Sequence, residues 1–403
     1  MAQPTFDTIK KHCEDHSRIS AAVVEDFLIY YAAAQNKLSQ IVDQKFARYR
    51  QVIRDFPKEW KGLVKTQLIA HQIFKKNGLI HKYLNHSAIK DLLPQERRYL
   101  ESQAATPWRF SFSQVMERPE EDFFVMLDLF TDEEYLLYSP GMSRELQQHP
   151  VTHFNLVSYN GLCWQAYGPI NSYMSFDYDD MFYFATELDA HVADDDDVLR
   201  LIDRNPLPFT LLLSGSRYPL TVHRDVPLVF NVAVDEEMTI VPEKLQKDFD
   251  VKKSGAIWQF KLKDESPLPH AIQLYYDEEN KTVLRSTMSD EGFAILGKKM
   301  QELGYPFLPI SDIRVHPSMV VTMEKVLNTK IVLIPYEKLF EEDTTPEEQK
   351  RLDALDQAMK RVIEDLNNGT EPDYAAISRE TGTEEEELRN LSAGVKEMMN
   401  RLP

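Results

Sequence analysis

The most metal-like run in this chain is His12-Cys13-Glu14-Asp15-His16. On a helix, His12 and His16 share one face at i,i+4 and Cys13 meets His16 at i,i+3, the spacing by which helical ligands reach one ion. Metalloprotease helices carry a glutamate base where this chain has Cys13, and two ligands do not complete a tetrahedral site. No structural metal and no cofactor are expected from it. The densest carboxylate region holds Asp177, Asp179, Asp180, Glu187, Asp189, His191 and Asp194 to Asp197. Oxygen ligands at such density suit Mg²⁺ or Ca²⁺, yet the alternating acids, glycine turn and closing glutamate of a calcium loop are missing. Asp179 and Asp180 fit the positive end of a helix, and four consecutive aspartates fit a solvated linker. Divalent-ion binding there is a question the sequence leaves open.

Nucleophilic chemistry has thin support. Phe209–Leu213 reads as a strand leading into Ser214-Gly215-Ser216, the nearest approach to a nucleophile elbow. It lacks the G-x-S-x-G spacing, and Tyr218-Pro219 blocks the helix that must follow. Cys163, between Leu162 and Trp164 in a strand, reads as a buried inert thiol. His223, His270 and His316 each stand near prolines, and only the fold can bring them together. Neither GxGxxG nor GxxxxGK[ST] occurs, so phosphate cradles of those types are not supported. The aromatics Trp164, Tyr167, Tyr173, Phe176, Tyr178, Phe182 and Tyr183 suggest a base-stacking face. However, residues 171–203 hold 10 Asp/Glu and one cation, Arg200, so phosphate is repelled and an aromatic core is expected.

A third pattern is cationic. Residues 45–98 carry 13 Lys/Arg against 4 Asp/Glu, although the whole chain has 46 against 65 and a formal charge of −19. Lys58, Lys61, Lys65, Lys75 and Lys76 fall on helical stretches whose apolar positions are committed to packing, so they are expected to project as a binding surface. Its acceptor is an anionic protein, nucleic acid or the chain's own acids. The strongly negative remainder opposes long-range attraction to phosphate, which favours a protein partner.

The 403 residues exceed one ordinary core. The N-terminus lacks an apolar h-region, no span of about 18 apolar residues occurs, and the two cysteines form no CxxC. A soluble, cytoplasmic protein without a membrane segment is expected. Residues 1–104 read as helical: Ser20 reads as an N-cap, an apolar stripe runs from Val23 to Tyr49 on one long helix, Pro57 ends it, and Gly78 stops the next. Near Pro107 the period becomes two: Trp108, Phe110 and Phe112 alternate with Arg109, Ser111 and Ser113. Further strands follow at Phe123, Tyr135, Phe154 and Leu162, with Asn160-Gly161 as a hairpin turn. Strands are also expected at Leu228–Val234, Ala256–Leu262, Ala271–Tyr276, Thr282–Ser286 and Lys330–Ile334, with helices at Asp290–Leu303 and Met319–Leu327. Thr345-Pro346-Glu347-Glu348 is a capping box opening an acidic tail.

Within that tail, Asp373 to Leu388 with Gly382 at the turn is similar to bacterial helix-turn-helix DNA-binding modules. It departs from them at Glu384, Glu385, Glu386 and Glu387, where the second helix would meet DNA. A structural or protein-docking helical hairpin is therefore favoured.

The fold class expected is α+β multidomain. It comprises a helical domain 1–104, a small antiparallel β barrel or sandwich with a closing helix at 105–205, an α+β domain 206–340 and an acidic helical tail 341–403. The expected function is macromolecular binding or scaffolding. The alternatives are a nucleic-acid-associated factor using residues 45–98, and a hydrolase with a dispersed or acidic metal-assisted site.

Overall fold

The computed structural model describes residues 4–145, 152–215, 222–223, 226–263, 271–341, 345–367 and 370–401. Two compact units emerge: residues 1–220 with 313–331, and residues 221–312 with 332–403.

The first unit opens with the helix Phe6–Ser20. Ser20 is not a cap. Its backbone is right-handed helical (φ −55°, ψ −48°), and the chain runs on through a π-helical turn, Ala21–Leu28, into Ile29–Asn36. The expected single helix also breaks, at Lys37, which is left-handed (φ 55°, ψ 30°), before Leu38–Arg48. A straight helix from Phe6 to Arg48 would run about 65 Å, longer than one small core. The break lets the segments on either side both pack on the helix Lys58–Phe74. Gly78 stands just past that helix because a Cβ there would lie 2.4 Å from the Ile73 carbonyl oxygen.

The β-rich part of this unit is a closed barrel of β1 (Arg109–Glu120), β2 (Phe123–Asp128), β3 (Glu134–Tyr138), β4 (Thr152–Tyr159) and β5 (Trp164–Tyr173), in the order β1-β2-β3-β5-β4. The β1–β2, β2–β3, β4–β5 and β1–β4 pairs are antiparallel and β3–β5 is parallel. The alternation in β1 suggests one buried face, but both faces are buried. Val115, Met126, Tyr135, Leu137 and Val157 pack together in one cluster. Ser111 and Ser113 share the Tyr135 hydroxyl at 2.9 and 3.1 Å, and the Ser111 hydroxyl donates to Asp128 at 2.7 Å. The opposite face lies under helices: Phe74 stacks on Trp108 at 4.3 Å, and His71 meets Phe110 edge-on at 5.0 Å. Helix coverage is what period counting on a lone strand cannot see.

Phe209–Leu213, expected as a strand, is instead the helix Leu207–Leu211 followed by a 3₁₀ turn, Leu212–Ser214. A short apolar run fits a buried strand or a buried helix equally, and Pro206 and Pro208 at the entrance decide for the helix. The helix Tyr178–Leu188 starts at Asp177, and Pro317–Leu327 follows the short strand Ile313–Val315.

The second unit contains five strands of an antiparallel sheet: β6 (Phe230–Asp235), β7 (Phe249–Ser254), β8 (Ile257–Leu262), β9 (Gln273–Asp277) and β10 (Thr282–Thr287), ordered β6-β10-β9-β8-β7. The helix Asp290–Glu302, capped by the Ser289 side chain on Gly292 N–H, packs Leu296 and Met300 against Phe260, Leu274 and Val283. Lys330–Ile334, expected as a strand, has no regular structure; it follows Asn328, whose left-handed φ of 54° ends the preceding helix. The tail has Pro346–Asn367, Tyr374–Thr381 and Glu385–Arg401 around Ala358, Val362, Tyr374, Ile377 and Leu388. Its capping box forms: Thr345 Oγ1 accepts from Glu348 N–H at 3.2 Å, and Glu348 accepts from Thr345 N–H at 2.9 Å. Among the described residues, no helix is long and apolar enough to cross a membrane.

Candidate functional site

The helix Lys58–Phe74 buries Val64, Gln67, Leu68, His71 and Phe74, which turns Lys58, Lys61, Gly62 and Lys65 to the other side at i, i+3, i+4 and i+7. The five lysines expected to bind divide by what they touch. Lys65 bonds Asp43 at 2.8 Å, and Lys75 bonds the carboxylate and the carbonyl of Asp203, both at 3.0 Å. Lys61 donates to the Arg54 carbonyl at 3.4 Å. Lys58 and Lys76 are exposed and make no hydrogen bond or ion pair with the described residues. Beside Lys58 and Lys61, Trp60 stacks on Phe56 at 4.0 Å, so an aromatic pair borders the cations. Gly62, four residues on from Lys58 and next to Lys61, has nothing within 4 Å of a Cβ built on it.

The two histidines of the metal-like run stay neighbours on the helix, with ring centroids 6.4 Å apart, but each takes a different partner. His12 Nε2 lies 2.8 Å from the Asn160 carbonyl, while His16 Nε2 meets the Gln103 amide at 3.2 Å and its ring lies against Tyr99. Burial, with repulsion from His12, lowers the His16 pKa to about 4. Ser214 Oγ is buried without a hydrogen-bond partner among the described residues. Ser216 and His270 lie outside the described residues.

The fold instead assembles a cluster that no sequence spacing suggests. Asp177 caps the helix Tyr178–Leu188, and Asp180 closes its capping box: Asp180 N–H donates to Asp177 at 3.2 Å, and Asp177 N–H donates to Asp180 Oδ2 at 3.0 Å. The segment Arg314-Val315-His316 then crosses this helix start. His316 N–H donates to Asp180 Oδ1 at 2.8 Å, and His316 Nδ1 lies 2.7 Å from Asp180 Oδ2. Arg314 reaches Asp177 at 2.9 Å and Asp179 at 3.2 Å. Asp180 is fully buried. Burial would lower the His316 pKa, but the hydrogen bond and charge of Asp180 outweigh it and hold the imidazole above its ordinary value. Burial also raises Asp180 against the pull of His316, so the pair keeps its shared proton to higher pH than either group alone.

Asp177, Asp180 and His316 are the one group of three metal-type donors found close together among the described residues. As they stand, the donors are spent on one another. An ion entering between His316 Nδ1 and Asp180 would have to widen a 2.7 Å contact, displace the proton and sit beside the Arg314 guanidinium. Chemically, the cluster is an ion network that ties residues 313–316 to the start of the Tyr178–Leu188 helix. The acidic residues of this region were legible, but Arg314 and His316 lie more than 130 positions away and nothing in the sequence links them to Asp180. Comparison of the chain with protein families, with curated proteins and with solved structures found no match.

Proposed function

We propose that the chain is a macromolecule-binding or scaffold protein, which docks an acidic protein partner on the Lys58–Lys65 face of its basic helix. Gly62 carries the reading. A glycine in a helix interior costs about 0.5–1 kcal/mol relative to alanine. Here no neighbour demands it, because a Cβ would meet open space. A glycine unneeded by the chain itself, flanked by Lys58, Lys61 and Lys65, leaves room for another molecule's backbone to approach. The stacked Phe56 and Trp60 beside it supply the aromatic contact that anchors protein interfaces. The exposed Lys58 supplies a charge whose pairing is left to a partner.

The test compares three proteins in capture experiments from the native host: the unaltered chain, Lys58→Glu/Lys61→Glu, and Gly62→Gln. One acidic protein captured stoichiometrically by the unaltered chain and lost from both variants is the expected result. Identical captured sets from all three would remove the docking face. Binding of an oligonucleotide that weakens steeply with salt and is lost on charge reversal would move the reading to nucleic acid.

A further inference from the structure

The chain's two cysteines, 150 residues apart in sequence, meet in the fold: Cys13 Sγ and Cys163 Sγ are 3.3 Å apart. We infer that they form a redox-active dithiol which a small peroxide oxidises to an intramolecular disulfide, stapling the helix Phe6–Ser20 to the β4–β5 hairpin.

The sulfurs are held face to face by a built cradle. Asn160 begins the hairpin turn, and its Oδ1 accepts the N–H groups of Leu162 and Cys163, both at 2.9 Å, which fixes where Cys163 points. Its Nδ2 donates to Gln165 Oε1 at 2.9 Å and to Cys13 Sγ at 3.1 Å, and lies 3.6 Å from Cys163 Sγ. Also from the hairpin, Gln165 Nε2 donates to the Cys13 carbonyl at 3.1 Å and to Ser17 Oγ at 3.0 Å, while from the helix His12 Nε2 lies 2.8 Å from the Asn160 carbonyl. Side chains from the helix and from the hairpin thus hold each other in place around the sulfur pair. Two thiols that served only to fill space would not need an amide directed at both.

The same arrangement divides the chemistry between the thiols. Contact with Cys163, opposed by burial and assisted by the Asn160 amide, holds Cys13 below the ordinary thiol range, and Cys163 is pushed up. The Asn160 amide lies closer to Cys13 Sγ, at 3.1 Å, than to Cys163 Sγ, at 3.6 Å, and so favours charge on Cys13, which makes Cys13 the attacking thiolate and Cys163 the resolving thiol. Cys13 sulfur attacks one peroxide oxygen; the O–O bond breaks, Cys13 becomes a sulfenic acid, and hydroxide leaves to collect the thiol proton as water. Cys163 sulfur then attacks Cys13 sulfur; the S–O bond breaks, and the second hydroxide leaves with the Cys163 proton as water. Two thiols are oxidised to one disulfide and one hydrogen peroxide is reduced to two waters. Both sulfurs are buried behind Phe6, Ile9, Phe123 and Tyr138, which excludes a bulky disulfide such as oxidised glutathione and admits a small neutral oxidant.

The experiment treats the reduced full-length protein with hydrogen peroxide and follows intact mass, peptide linkage and melting. A mass loss of two hydrogens, a peptide joining Cys13 to Cys163, and a melting temperature raised by about 10 °C are expected, since the bridge closes a very long loop. In Cys163→Ser, a sulfenic acid on Cys13 should be trapped by dimedone; in Cys13→Ser, Cys163 should resist labelling. Asn160→Ala, checked for an unchanged melt in the reduced state, should slow disulfide formation at least tenfold. If that variant melts early, the two serine variants decide alone. The inference is overturned by thiols that survive peroxide in the folded protein, by over-oxidation without a bridge, or by equal labelling of the two cysteines.

Discussion

Two pairs of a buried histidine with an aspartate stand in contrast within the first unit, and the two imidazoles shift in opposite directions. His316 rests on Asp180 through both its ring and its backbone N–H, and its pKa is raised. His71 has Asp203 at 3.2 Å from Nε2 but poorly aligned, so both ring nitrogens are without a hydrogen bond; burial lowers its pKa. His71 is the more deeply buried imidazole, which favours its neutral form. The carboxylates differ as well. The Asp180 side chain is 0% exposed and places both oxygens on the His316 segment and its own helix cap, whereas Asp203 is 45% exposed and spends its charge on Lys75. A desolvated acid with aligned bonds retains its partner's proton; a solvated acid shared with a lysine does not.

The sharpest test removes the buried acid. Asp180→Ala strands the N–H groups of His316 and Asp177 and the His316 ring, and breaking a buried pair costs about 3–5 kcal/mol. Denaturant melts followed on the first unit should show that loss. A cost under about 1 kcal/mol would mean that Asp180 is solvated like Asp203, and the contrast would collapse.

The next test is the pH profile. Because His316 is raised, the folded state binds more protons than the unfolded state just above the ordinary histidine value. Its stabilisation is therefore fully present below about pH 6.5 and is lost as pH rises through the elevated folded value. His71 is lowered, as are His16 and His153, both to about 4 and both principally by burial. For these the unfolded state binds more protons, so stability falls as pH drops below about 6.5. Melting temperature against pH should form a dome with its top near neutrality. His316→Gln should flatten the alkaline limb and leave the acid limb in place, while His71→Leu should make the acid limb shallower, with His16 and His153 carrying the rest, and leave the alkaline limb in place. A dome whose alkaline limb survives His316→Gln would assign that limb to another group.

The contrast also shows what the sequence could carry. Asp180 was legible as a helix-start acid because a capping box is local: Asp177 and Asp180 sit three residues apart and meet their own helix's N–H groups. His316 was visible only as a histidine before a proline, since its partner arrives through tertiary packing. The same division runs through the fold. The capping box at Thr345, the turn at Asn160-Gly161 and most strands of the second unit were readable from neighbours in sequence. The π-helical continuation past Ser20, the break at Lys37 and the helix Leu207–Leu211 were not, because burial from several sides chose among states that local propensity leaves nearly equal. The meeting of Cys13 with Cys163 belongs to that second kind.

The smallest expected effect concerns the exposed partner. In Asp203→Ala, Lys75 loses its carboxylate but keeps the Asp203 carbonyl at 3.0 Å, and that lysine is already partly solvated. His71 loses an acid that it does not hydrogen-bond and stays neutral because its burial is unchanged. Only a half-exposed ion pair is removed, worth about 0–1 kcal/mol, and salt should shrink even that. Stability of Asp203→Ala measured at low and at high ionic strength should therefore converge on that of the unaltered protein as salt rises. A salt-independent loss of more than about 2 kcal/mol would show that Asp203 bonds His71 in solution. The two pairs would then differ in degree of burial alone, and the alignment of the carboxylate would no longer explain why one imidazole holds its proton and the other releases it.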